Sequence, residues 1–130
     1  MPFDHGKLDV YHHALDALER CDRIGKALPR GRAGVRDQLD RASTSVVANI
    51  AEGAGEYSRR EKARFYRIAR RSAVEAVAWL DITRRRNEAE RATIDEAMDL
   101  YEGVVAMLVR LTKVTSPRRE GQPPSAGQER

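Results

Sequence analysis

Apolar residues recur at steps of three and four along most of this chain, the period of an α-helix packed on one side. The stretch QLDRASTSVVANIAEG, residues 38–53, and the valine before it show this well: Val35, Leu39, Ala42, Val46, Ile50 and Gly53 share one face. Gln38, Ser45, Asn49 and Glu52 run as a polar stripe along one edge of that face, with Asn49 nearest the apolar centre. A buried amide without a partner costs roughly 1–3 kcal/mol. The stripe therefore predicts a specified polar contact with a neighbouring helix.

Four helices are predicted in all. The first spans residues 8–28, with the stripe Leu8, Tyr11, Leu15, Leu18, Cys21, Ile24 and Leu28, and Pro29 and Gly31 end it. The second spans 34–53, stopped by the Gly53-Ala54-Gly55 cluster. Ser58 followed by Glu61 reads as a capping box, in which the serine oxygen takes a free backbone N–H and the glutamate reaches back. The third helix continues to residue 86, with the buried stripe Phe65, Ile68, Ser72, Glu75, Trp79 and Ile82. A second edge on it, Tyr66, Ala69, Ala73, Ala76 and Leu80, is apolar and mostly small. That edge suits either packing within the chain or the approach of another subunit. The fourth helix spans 93–114, capped by Thr93, with Ile94, Ala97, Met98, Tyr101, Val104, Val105, Leu108 and Leu111 inward. Connections this short force sequence neighbours to pack antiparallel. The expected fold is all-α, an antiparallel up-down-up-down four-helix bundle over residues 1–115. Residues 116–130, rich in proline and glycine and without an apolar period, read as a disordered tail.

At 130 residues the chain is long enough for one unstapled core. Cys21 is its one cysteine, so no internal disulfide forms; a reducing, cytoplasmic setting and a packed thiol are expected. No apolar run approaches the ~18 residues of a membrane span, and the first residues lack the pattern of a secretion signal.

Charge is uneven. Between residues 58 and 71 stand Arg59, Arg60, Lys62, Arg64, Arg67, Arg70 and Arg71 against Glu61, a local charge of +6 in a chain of net +4. The fourth helix carries Asp95, Glu96, Asp99 and Glu102 against Arg110 and Lys113. Arg60, Arg64, Arg67 and Arg71 are spaced four, three and four apart and so line one face, which Arg59 and Arg70 widen; Lys62 lies to the other side. Guanidinium forks suit phosphate oxygens, giving a nucleic-acid face that reads the backbone and not the bases. The alternative is a solvated face, paired with acids of the fourth helix or of a neighbouring subunit. With Phe65 assigned to the core, too few aromatic residues remain for base stacking.

Gln38, Asn49, Glu52 and Glu75 admit two readings. They are carboxylates and amides for acid–base or metal chemistry, or a buried polar network that fixes register between the second and third helices. The network is favoured. The chain has no Glu-x-x-His motif of the di-iron bundles. Its histidines, His5, His12 and His13, stand near the start, and adjacent side chains on a helix diverge by about 100°. No phosphate loop, zinc spacing or nucleophile triad is present, so no catalytic residue, metal or cofactor is expected.

A family resemblance rests on Gln38, Arg41, Ala42, Ser45, the run Asn49-Ile50-Ala51-Glu52-Gly53, Ser58, Phe65, Ala69, Ser72 and Glu75. With these the chain resembles a bacterial four-helix-bundle family encoded inside intervening sequences of large-subunit ribosomal RNA genes. It is also similar to the accessory variability determinant of diversity-generating retroelements. The likeness covers about residues 8–115. Glu56 departs from a basic residue common among relatives, and Arg71 from a glycine. The resemblance implies a homopentamer with a basic surface, without known catalysis, that meets RNA or DNA and a reverse transcriptase. The function expected is thus a non-enzymatic scaffold binding nucleic acid with little sequence preference; the alternative is a protein-interaction module docking an acidic partner or a reverse transcriptase.

Overall fold

The computed structural model describes residues 3–116. Helices α1 (Asp9–Ala27), α2 (Ala33–Gly55), α3 (Arg59–Arg86) and α4 (Arg91–Thr115) follow a 3-10 turn at Asp4–Lys7, and a second turn at Arg30–Arg32 joins α1 to α2. Each helix packs on its sequence neighbours and α1 closes on α4, while the diagonal pairs stay apart. The result is the expected four-helix bundle with antiparallel neighbours. None of the described helices is long and apolar enough to cross a membrane. Ser116 caps α4; the rest of the tail expected to be disordered, residues 117–130, lies outside the described residues.

The helix ends are built from specific partners. Ser58 Oγ accepts from the Glu61 N–H at 3.2 Å, which is half of the expected capping box. The Glu61 carboxylate turns instead to Arg64. Asn87 closes α3 in the left-handed region, φ 56°, and its N–H donates to Arg84 O, the arrangement that satisfies free carbonyls at a helix end. Basic side chains from the following helix cap the first two. Arg36 donates to Gly25 O at 2.8 Å and Leu28 O at 3.2 Å. Lys62 donates to Gly53 O at 3.2 Å and Ala54 O at 2.9 Å. Thr93 is not the cap of α4. The helix starts two residues earlier after Glu90, and the buried Thr93 hydroxyl donates to the Glu90 carboxylate.

Two of the four expected stripes are rotated. On α3 the buried residues are Ala63, Tyr66, Ala69, Ser72, Ala73, Ala76, Leu80 and Thr83. The edge of small residues is therefore the core face, and Phe65, Ile68, Glu75, Trp79 and Ile82 are half-buried on the flank. Helix α1 repeats this: Val10, Ala14 and Ala17 are buried, whereas Tyr11, Leu15 and Leu18 are half-buried. Helices separate by the size of the side chains between them. Alanine faces on the diagonal pair α1 and α3 let the large residues of α2 and α4 fill the centre, among them Leu39, Ile50, Ile94, Tyr101 and Leu108.

Candidate nucleic-acid interface

The polar residues of α2 form two separate links to α3. Asn49 Nδ2 donates to Ser45 O at 2.9 Å and Ser45 Oγ at 3.1 Å; Ser45 Oγ shares a hydrogen bond with Ser72 Oγ at 2.8 Å. One turn earlier, Gln38 Oε1 accepts from Arg41, which pairs with Glu75, and Glu75 Oε2 also accepts from Trp79 Nε1 at 3.2 Å. The network is real, but it lies on the α2–α3 flank and not in the core. Gln38 is exposed, and Asn49 and Glu75 are half-buried. Glu52 is exposed, takes no part, and faces a shallow cleft beside Asp4 and His5. The reason is the rotation of α3: its alanine face occupies the centre, so residues at the edge of the α2 stripe meet the flank of α3, where water reaches them.

The seven basic residues of α3 divide by what they do. Lys62 is committed to capping α2. Arg59 reaches across the end of the bundle and donates to Val114 O at 2.6 Å, keeping its charge exposed. Arg64 pairs with Glu61 at 3.1 Å, which raises its pKa, and lies 4.4 Å from the Phe65 ring centroid. Arg60, Arg67, Arg70 and Arg71 pair with no carboxylate among the described residues. By helical geometry Arg60, Arg67 and Arg71 project within about 40° of one another, opposite the buried face.

Antiparallel packing leaves this charge uncompensated. The acids of α4 stand in its first turns, beside the far end of α3: Asp95 meets Arg84 at 3.3 Å, and Glu96 meets Arg20 of α1 at 3.5 Å. The basic residues Arg110 and Lys113, in the last turns of α4, instead lie at the end where α3 begins. Among the described residues no ion pair joins the stripe to an acid of α4; only Arg59 reaches that helix, at the Val114 carbonyl. Two features beside it were hidden in the sequence. Phe65 is half-buried and held under a guanidinium, and Tyr57, in the α2–α3 turn, is 101% exposed. Beyond Arg71 the outward face turns apolar, with Val74 57% exposed.

Cys21 is buried, its Sγ 3.7 Å from the Tyr101 hydroxyl. Burial pushes the thiol up to about 11 and raises the tyrosine as well, so the thiol stays protonated and packs as an apolar group.

Comparison with curated proteins gives no match. A crystal structure of a protein of unknown function, from the S23 ribosomal protein family of Bacteroides thetaiotaomicron, has the same fold. It superposes with a TM-score of 0.74 at 24% identity, covering 80% of this chain and 98% of that one. The 23S rRNA-intervening sequence protein family matches residues 6–110. A match over that much of the sequence, on the bundle that carries the Asn49–Gly53 motif, places the chain: it belongs to the 23S rRNA-intervening sequence protein family.

Proposed function

We propose that this protein is a non-enzymatic scaffold that associates with copies of itself and holds RNA or DNA through phosphate contacts on the outer face of α3. The observation that carries the reading is the line Arg60, Arg67 and Arg71. It is unpaired among the described residues, turned away from the core, and distant from the acids of α4. Guanidinium groups spent on neither folding nor ion pairs are suited to phosphate oxygens, which carry no base identity. The match to a family named for intervening sequences in ribosomal RNA is compatible with a nucleic-acid ligand, and the resemblance to the retroelement accessory protein adds a reverse transcriptase as a candidate partner.

Self-association is supported by α3 itself. Val74 is exposed on the outward face, and Ile68, Trp79 and Ile82 are half-buried on the flank beside it, so α3 keeps apolar surface outside the core. That surface fits a second copy, and the family resemblance supplies the number five. Light scattering after size exclusion is expected to give a mass near five subunits; a monomer at micromolar concentration contradicts this part. Nucleic-acid binding is tested by fluorescence anisotropy at low salt with several unrelated RNA and DNA oligonucleotides. Affinities within a few-fold of one another are expected. Discrimination above tenfold between sequences contradicts phosphate-only contact, and failure to bind any of them moves the basic face to an acidic protein partner.

A further inference from the structure

The aromatic residues beside the arginine line change what kind of nucleic acid suits it. Tyr57 sits in the turn before α3 with its side chain wholly in solvent, 101% exposed, so it contributes nothing to the core. A single exposed tyrosine needs no explanation; its company does. Arg59 and Arg60 follow within one turn, and the next stacking surface is Arg64. The Arg64 guanidinium lies over the Phe65 ring at 4.4 Å, and Glu61 grips its edge through Nε and Nη2. Contact with the ring and with the carboxylate restricts the guanidinium, while the side chain stays 51% exposed. Guanidinium planes and tyrosine rings are the surfaces on which unpaired bases stack. From Arg59 to Arg64 the helix rises about 7.5 Å, so Arg64 stands within the first two turns of α3, close along the chain to Tyr57 in the turn before it.

We propose that Tyr57 and the Phe65-backed Arg64 plane form a base-stacking platform beside the arginine line, so that this face takes single-stranded nucleic acid with its bases unpaired. The proposal rests on the phosphate-binding reading above and narrows its ligand. In a duplex the base faces are already stacked and only the phosphates reach the protein; in a single strand the backbone can follow Arg60, Arg67 and Arg71 while neighbouring bases turn onto the two planes. Every base has a π-face, so the platform adds affinity without sequence preference.

The test uses the full chain and three probes of equal length: a single strand, the same strand as a duplex, and a single strand with abasic sites throughout. Tyr57→Ala is expected to weaken the single strand about 5- to 150-fold. Duplex and abasic affinities, the salt slope and the oligomeric mass stay as in the parent. Tyr57→Phe keeps the ring and restores single-strand affinity. Arg64→Lys keeps the charge and removes the plane, and is expected to lower single-strand affinity at an unchanged salt slope. Equal losses on all three probes, no loss on any, or an altered mass in Tyr57→Ala overturn the platform while leaving phosphate binding in place. A parent protein that binds none of the probes overturns both.

Discussion

Gly53→Ala is expected to destabilise the bundle, although alanine is the better helix former. Gly53 lies in the last turn of α2, still helical, and is buried against α3. A Cβ there would stand 2.7 and 2.9 Å from Cε1 and Cδ1 of Tyr66 and 3.2 Å from Cβ of Phe65, whereas carbon atoms settle at about 3.5–4.0 Å. Tyr66 is only 3% exposed, so its ring has little room to yield. Two terms oppose. Relief of glycine's backbone entropy favours alanine by up to about 1 kcal/mol. Overpacking a tight contact costs about 1–3 kcal/mol, leaving a net loss of up to about 2 kcal/mol. Gly103→Ala isolates the first term: it sits within α4, where an added methyl would meet nothing within 4 Å, and a gain of about 0.5–1 kcal/mol is expected. Urea unfolding followed by helical circular dichroism gives both values. In a Tyr66→Leu background the Gly53→Ala loss is expected to shrink, a coupling that a double-mutant cycle measures. Equal stabilisation by the two glycine replacements would refute the close approach of α2 and α3.

Further outcomes follow from the same contacts. Asn49 and Glu75 have different partners, so the losses from Asn49→Leu and Glu75→Leu are expected to add within about 0.5 kcal/mol in urea unfolding, whereas strong coupling would join the two links into one network. Lys62→Met removes the ammonium that caps α2 and is expected to cost about 1 kcal/mol without changing the salt dependence of nucleic-acid binding; a flatter slope would return Lys62 to the interface. The Cys21 pKa is raised to about 11, so its contribution is complete below about pH 9 and is lost as pH climbs toward 11, amounting to about 2–3 kcal/mol. The fall in urea midpoint between pH 8 and pH 10.5 should therefore be smaller in Cys21→Ala than in the parent, and equal falls would remove the thiol from the account.

The helix count, the turn positions and the antiparallel order were legible because period, capping residues and short connections all point one way. The faces of α1 and α3 were not. A stripe read by size favours Phe65, Ile68 and Trp79 over Ala69, Ala73 and Ala76, yet close helix approach is what alanine permits. The same rotation explains why Glu52 and Gln38 are exposed while Ser45 and Ser72 meet. Arg41 was the unread member of the polar set, though its place three residues after Gln38 and one turn before Ser45 puts it on that edge. The arginine line was legible from spacing alone. Spacing could not divide the free side chains from Lys62, which the end of α2 claims, or from Arg64, which Glu61 and Phe65 hold. The partners of Lys62 become neighbours only once α3 folds back along α2, whereas Glu61 and Phe65 lie within one turn of Arg64 on α3 itself.

The central claim is that the free arginines of α3 neutralise phosphates. Its most direct test is the slope of log affinity against log salt for the parent and for the Arg60→Gln, Arg67→Gln, Arg71→Gln triple variant. Each phosphate contact contributes about −0.7 to the slope on a single strand and about −0.9 on a duplex. Loss of three contacts is expected to flatten the single-strand slope by about 2, with helix content and oligomeric mass unchanged. A folded, normally assembled variant that keeps the parent's slope would contradict the account and place the nucleic-acid surface elsewhere on the molecule.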